Sequence, residues 1–468
     1  MLVDGGAYFG ALRAAMLRAR HAIRIACWDM HRRTRLVGES GKADDGAPEE
    51  FAPFLEWLVR RRPELRISIL LWDYSIIYAS ERDPVPAFVL DWTTPSRITI
   101  RLDRSLPTLG SHHQKIVTID GKLAFSGGID PTIRRWDTPC HAIDDARRTD
   151  PSGEGYRPFH DVQIAVSGKA ARALDDLLTQ RWLNAGFKDP TVSGAQARQA
   201  AESHIDPWPD DLRPDFQNVG AAISRTHGLR AEVDEVREVE QLYVRMIECA
   251  EREIYLENQF FTSHSVADAL CAALKRRPAL EAVLIGPNVH HTWLEEHAMD
   301  SGRRRFMERL KKAGVTDRVR LLYPAIPDDS TDQGVMVHSK VAIVDDALLR
   351  VGSANLNNRS MGLDTECDIT LEARSDDHRA SVLAVRNRLL AEHLGCEADG
   401  VARAVQKEGS LIAAIERLSQ GNRCLRAIET GAAPADFLAT AVSAAADPDG
   451  AIEPVDVLNG MWRERDDR

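Results

Sequence analysis

The sequence predicts an α/β protein of two duplicated α/β-sandwich lobes, each a mixed sheet flanked by helices, with an active site at the lobe interface. Three observations predict it. A chain of 468 residues is too long for one ordinary core and long enough for two. Helical periods run into apolar, strand-like stretches in the same order in both halves. Finally, "HHQKIVTID", from His112, and "HSKVAIVD", from His338, share one pattern: histidine, any residue, lysine, four residues, aspartate.

In the first half, the helical period of "YFGALRAAMLRARHA" leads into "IRIACWDM", and "FAPFLEWLVRRRPELRISILLWD" repeats that order. The strand-like "RITIRL", the first His-Lys segment, "HDVQIAVSG" and the helix "KAARALDDLLTQRWLNAG" complete it. The second half repeats the scheme: "DEVREVEQLYVRMIECAEREIYLE" and "VADALCAALKRRPALEAVLIGPN" are each helix into strand. "RVRLLYP", the second His-Lys segment, "CDITLEARS" and "RASVLAVRNRLLAEHLG" follow. The expected organisation is a first lobe over 1–190, a connector over 191–232 rich in proline and aspartate, a second lobe over 233–396, and a helical C-terminal tail over 397–468. Residues 131–159 show no sustained period and read as an inserted loop.

Composition narrows the class. Apolar residues at 44% and charged residues at 28% are ordinary for a globular protein. A net charge of −11 disfavours a surface built to neutralise nucleic acid, so no nucleic-acid partner is expected. Seven cysteines without a C-x-x-C pair read as free thiols in a reducing compartment. The N-terminal stretch lacks the basic start and apolar block of a secretory signal, and no stretch is long and apolar enough to span a membrane. The expected location is cytoplasmic or peripheral to a membrane, with export lacking a cleaved signal left open.

Residues two apart on a strand face one side, so His113 projects with Lys115 and His338 with Lys340. Each segment continues as a hairpin, turning at Asp120 and at Asp345, where aspartate is favoured for local hydrogen bonding; both are expected to be structural. Small-residue corners follow, "SGGID" and "GSANLNNRS", where backbone amides can approach an anion. If the halves pair face to face, two imidazoles and two ammonium groups converge. Lys115, Lys340 and Asn355 can then hold the non-bridging oxygens of a phosphodiester, while one imidazole attacks phosphorus and the other protonates the leaving alcohol. His112 and the His290–His291 pair lack metal-ligand spacing and read as solvated histidines.

The repeated H-x-K-x-x-x-x-D with "GG" after the first copy and "GSANLNNRS" after the second resembles the phospholipase D superfamily, over roughly residues 5–394. "GGIDPTIRRWD", "RPFHDVQIAVSG" and "IYLENQFF" look more like true phospholipases D than like the superfamily's nucleases or cardiolipin synthases. The resemblance implies a phosphohistidine intermediate, no cofactor and no metal, a phospholipid substrate at a membrane surface, and a monomer of two pseudo-symmetric lobes. It makes His113 the nucleophile and His338 the general acid, and places a carboxylate behind each histidine, by position Asp161 and Glu366. The implied reaction releases phosphatidic acid and the head-group alcohol, with transfer to other alcohols; a cardiolipin synthase-like phosphatidyltransferase and a metal-independent nuclease are the alternatives. Asn355 matches the family's phosphate-binding residue. Asp130 stands where asparagine is common and is left out of the catalytic set. "ENQFF" reads equally as a segment near the site or a buried strand end, and Trp136 and Asp137 as head-group pocket or loop packing.

Overall fold

A computed structural model describes residues 1–73, 95–107, 110–188, 206–229, 234–289, 293–430 and 447–448. The first sheet contains β1 (Leu2–Val3), β2 (Ala22–Cys27), β3 (Arg66–Trp72), β4 (Ile98–Asp103), β5 (Ile116–Ile119), β6 (Leu123–Gly127) and β8 (Val162–Ser167). Its order is β1-β8-β6-β5-β2-β3-β4, parallel from β2 to β4 and antiparallel elsewhere.

The second sheet contains β9 (Gly220–His227), β10 (Val236–Arg237), β11 (Glu253–Glu257), β12 (Glu281–Ile285), β13 (Val319–Ala325), β15 (Val341–Val344), β16 (Leu348–Gly352), β17 (Glu366–Glu372) and β18 (Cys424–Ala427). In the order β10-β9-β17-β16-β15-β11-β12-β13-β18, its stretch from β17 to β13 repeats the first sheet from β8 to β4, parallel and antiparallel pairings included. The duplication read from element order is therefore a duplication of topology. Between the sheets, β7 (Phe159–His160) pairs in parallel with β14 (Met336–Val337).

The helices are α1 (Asp4–Arg18), α2 (Phe51–Arg61), α3 (Gly168–Asn184), α4 (Glu238–Cys249), α5 (His264–Arg276), α6 (Trp293–Ala313), α7 (Asn358–Gly362), α8 (Asp376–Leu394), α9 (Ala398–Glu408) and α10 (Leu411–Leu418). In α2, Phe51, Phe54, Leu55, Leu58 and Val59 recur at helical spacing and are buried, which fixes the face it lays on its sheet. In α5, Val266, Ala267, Leu270, Ala273 and Leu274 do the same.

Strand alternation partitions the core. In β15, Val341 and Ile343 enter a cluster shared between the lobes, whereas Ala342 and Val344 enter the second lobe's outer core with α4 and α5. In β5, Ile116 joins the shared cluster and Val117 the outer core of the first lobe, under α1 and α2. The two sheets thus bury their inner faces against one another, with α3 and α8 adding to that layer.

Two stretches carry strands their composition does not announce. Residues 220–227, inside the expected connector, form β9 and pair along the whole of β17. In the expected helical tail, α9 and α10 are followed by β18, which closes the far edge of the second sheet on β13.

Candidate active site

The site is built by two short pieces of backbone that cross the lobe interface. The His338 amide donates to the His160 carbonyl at 2.8 Å, continuing the β7–β14 pairing by one residue. On the other side, the His113 amide donates to the Thr365 carbonyl at 3.0 Å, after a bridge between His112 and Thr365. Each motif histidine therefore lies opposite the residue that precedes the other lobe's carboxylate. The side chains then pair across the interface: His113 Nδ1 is 3.0 Å from Glu366 Oε1, and His338 Nδ1 is 2.6 Å from Asp161 Oδ2. With Nδ1–H donated to a carboxylate, Nε2 is left with its lone pair free.

The rings are 13% and 12% exposed, while both carboxylates are fully buried, so the imidazoles reach the surface and the acids lie beneath them. Ser353 and Ser360, from the "GSANLNNRS" corner, both donate to Glu366. The "GG" corner serves Asp161: a side chain at Gly128 would collide with its carboxylate.

Lys115 Nζ donates to the His113 carbonyl at 2.9 Å and lies 3.3 Å from Asp130 Oδ2, while Lys340 Nζ donates to the His338 carbonyl. Asp130, set aside at the sequence level, thus touches a motif lysine, and it also accepts the Trp28 amide at 2.9 Å. Burial holds His113 well below the usual imidazole range, and Lys115 and Lys340 push it the same way. Burial depresses His338 likewise, joined by Lys340, Arg135, Lys115 and His113. Each histidine feels the lysine of the other lobe, so the four groups share one electrostatic space. Burial also raises Asp161 and Glu366 to about 7 and lowers Lys340 to about 7.

Asn355 is 5% exposed, and its side-chain oxygen has no hydrogen-bond partner among the described residues, a buried polar end of the kind a ligand satisfies. The motif aspartates act over long range, not locally as expected. Asp120 accepts the amides of Arg20, His21 and Ala22, and Asp345 those of Glu251, Arg252 and Glu253. Each ties its hairpin turn to the start of the neighbouring strand.

His112 corrects the solvated reading: it is 2% exposed, and its Nε2 lies 2.8 Å from Asp103. His290 and His291 lie outside the described residues. All seven cysteines are free. Sequence reasoning missed three groups around the site. Arg135 stacks over Phe159, whose ring centroid is 5.4 Å from that of His338. Arg350, fully buried against Asp368, donates to the Lys340 carbonyl at 2.9 Å. Glu257, the acid of "ENQFF", accepts from Ser339 at 2.6 Å and faces His160 Nε2 at 2.9 Å. Asp137 and Trp136 are buried, with Asp137 held by Arg148 and His141. Among the described residues, no helix is long and apolar enough to cross a membrane.

Comparison with known proteins places these features in context. Residues 93–276 match the family model described as phospholipase D, and residues 243–383 the model described as cardiolipin synthase, PLD-like domain. Phospholipase D A of Dictyostelium discoideum is 24% identical over 473 residues, covering 84% of this chain and 35% of that protein. Phospholipase D1 of Saccharomyces cerevisiae is 25% identical over 502 residues, covering 85% and 29%. The chain thus spans about a third of the length of these two relatives. The crystal structure of phosphatidylserine synthase from Haemophilus influenzae shares the fold at a TM-score of 0.51 and 14% identity, covering 83% of this chain and 86% of that one.

Proposed function

Because the chain belongs to the phospholipase D superfamily, we propose that it is a phospholipase D-type phosphodiesterase, cleaving the distal phosphodiester of glycerophospholipids to phosphatidic acid and the head-group alcohol. The observation that carries this reading is the crossed pairing, in which each imidazole is oriented by a carboxylate of the opposite lobe.

The geometry supports the following chemistry. Lys115, Lys340 and Asn355 hold the non-bridging oxygens and oppose the charge that builds on them in the transition state. His113 Nε2 attacks phosphorus while Glu366 supports the positive charge gathering on the ring. The bond from phosphorus to the head-group oxygen breaks, and that oxygen takes the proton from His338 Nε2. The negative diester offsets the lysines that depress His338, so that ring takes up its proton as substrate binds. A water molecule then gives a proton back to His338 and attacks the phosphohistidine, freeing His113 and phosphatidic acid. A primary alcohol in place of water yields the corresponding phosphatidyl alcohol.

The substrate sits in a bilayer, so contact with the membrane is peripheral in this reading. The test is hydrolysis of phosphatidylcholine vesicles with ethanol present. Phosphatidylethanol forms alongside phosphatidic acid, and hydrolysis without phosphatidylethanol would refute the covalent route. The match of residues 243–383 to a cardiolipin synthase model favours a second reading, transfer to a lipid alcohol. Phosphatidylglycerol as sole substrate then gives cardiolipin and glycerol instead of phosphatidic acid and glycerol.

A further inference from the structure

We propose that Asp4, His141, His160 and Glu392 form a structural site for one divalent transition-metal ion, with zinc as the best fit, seated directly behind the His338–Asp161 pair. The four residues come from the first turn of α1, the loop after β6, β7 and α8. Their side chains are 0%, 0%, 0% and 5% exposed. The four side chains form a closed ring in which each imidazole nitrogen lies between two carboxylates, Asp4 closing it with both of its oxygens. His160 Nδ1 is 2.7 Å from Glu392 Oε1, which is 3.0 Å from His141 Nε2. His141 Nε2 is 3.5 Å from Asp4 Oδ2, and Asp4 Oδ1 is 3.0 Å from His160 Nδ1. A tetrahedral ion with bonds of about 2.0 Å requires ligand-to-ligand edges of about 3.3 Å, and this ring already brackets that value.

The atoms behind the ring carry the argument further. A metal-binding histidine presents one nitrogen to the ion and donates the other N–H to a fixed acceptor, usually a carboxylate. Both histidines here have that acceptor: His141 Nδ1 is 2.9 Å from Asp137 Oδ2, and His160 Nε2 is 2.9 Å from Glu257 Oε2. These acids are themselves held, Asp137 by Arg148 and the Phe159 amide, Glu257 by Ser339 and His393. Asp4 Oδ2, by contrast, is buried and makes no hydrogen bond among the described residues. A buried carboxylate oxygen left so calls for a partner.

Donor chemistry selects the ion. Two imidazoles suit zinc and its neighbours rather than calcium or magnesium, and four donors are too few for calcium. A ring closed to solvent has no open position for substrate, which makes the site structural.

The competing occupant is a pair of protons shared along the same ring, which balances the same charge as one divalent ion. The position of the ring gives the ion a consequence for the site. The His160 carbonyl accepts the His338 amide, and the Asp161 carbonyl accepts the Asp4 amide at 2.7 Å. An ion held by Asp4 and His160 therefore clamps the backbone on both sides of Asp161, and Glu392 extends the clamp to the second lobe. That effect on turnover rests on the proposed function; metal binding does not.

The test starts from the full chain, stripped with a chelator and titrated with Zn²⁺ by calorimetry. We expect one equivalent bound, a higher melting temperature, and an X-ray absorption spectrum with nitrogen and oxygen neighbours at about 2.0 Å and no sulfur. The sulfur readout separates this site from adventitious binding at the free cysteines. His141→Ala abolishes the equivalent, and Asp137→Asn, which leaves the four ligands in place, weakens it about 10- to 100-fold. Melting that is indifferent to Zn²⁺ in the wild-type chain overturns the proposal even if no variant folds. So does a sulfur-ligated ion, or an unchanged equivalent in folded His141→Ala. A zinc-loaded chain without lipid turnover would instead refute the functional reading and leave the metal site standing.

Discussion

Asp161 Oδ2 accepts from Nδ1 of His338 at 2.6 Å, although the two belong to different lobes and are 177 positions apart in sequence. Replacing this acid by asparagine keeps its shape and removes the charge that supports the protonated ring. Asp161→Asn lowers kcat by about 10²- to 10⁴-fold with KM little changed. The fold survives, because asparagine fills the same volume and burial already disfavours the charged form of this carboxyl, raising it to about 7. Steady-state kinetics and thermal melting of the same preparation check both halves of the statement.

The pH profile follows from Lys340 and the two carboxylates behind the histidines. His113 must be neutral to attack, which its depressed pKa secures, so the acid limb of kcat/KM belongs to Asp161 and Glu366, which must be ionised and which burial raises to about 7. Lys340 loses its proton near pH 7 in the free enzyme, so kcat/KM falls above pH 7. Bound diester raises the lysine, so the alkaline limb of kcat sits higher than that of kcat/KM. A kcat/KM still rising through pH 8 would contradict this assignment.

Lys340 also bears on stability, and the sign is unusual. Its folded pKa of about 7 lies below the unfolded value of 10.5 because burial penalises the charge. The penalty is present in full below pH 7 and fades as pH rises toward 10.5. Lys340→Met therefore raises the melting temperature at pH 6, by more than at pH 9.5, while abolishing turnover. Calorimetric scans at the two pH values test the order.

How much of this was legible in the chain can be judged from particular residues. His113, His338 and their lysines repeat a pattern, and Asp161 and Glu366 open the strands after their corners. The crossing of the pairs was not legible, because it depends on β7 meeting β14 and on His112 meeting Thr365, contacts between halves that no local pattern encodes. In "HHQK", alternation sends His112 down to Asp103 and His113 to Glu366, a choice visible only once the strand direction is known. β9 escaped notice because it is a partly exposed strand, flanked on its outer side only by the two residues of β10, with no continuous apolar face, and the four residues of β18 are too few to show a period. Asp4, His141 and Glu392 share no motif and are brought together only by the packed interface.

Asp345 accepts three backbone amides at 2.9 Å, those of Glu251, Arg252 and Glu253. Asp345→Ala leaves them without this acceptor in a partly exposed turn, at a cost of about 1–2 kcal/mol. Turnover per folded molecule is unchanged, since the carboxylate contacts neither the imidazoles nor the lysines. Urea denaturation gives the first quantity and active-site titration the second. A loss of kcat with no loss of stability would reassign this residue to chemistry.

Gly128 gives the sharpest test of how the corner serves the site. A methyl group there meets both carboxylate oxygens of Asp161 at less than contact distance, so the acid must swing away from His338. Gly128→Ala therefore lowers kcat by about 10²-fold or more, through a residue with no polar side chain of its own. Gly400, in α9 with nothing within 4 Å of an added methyl, is the control. Alanine there leaves kcat alone and adds about 0.5–1 kcal/mol of stability. Combining the first change with Asp161→Asn separates a specific effect from general damage. If the methyl acts only by displacing the acid, it costs little once that acid has lost its charge, and the two losses fall far short of additive. Full additivity would mean that Gly128→Ala disturbs the site by another route.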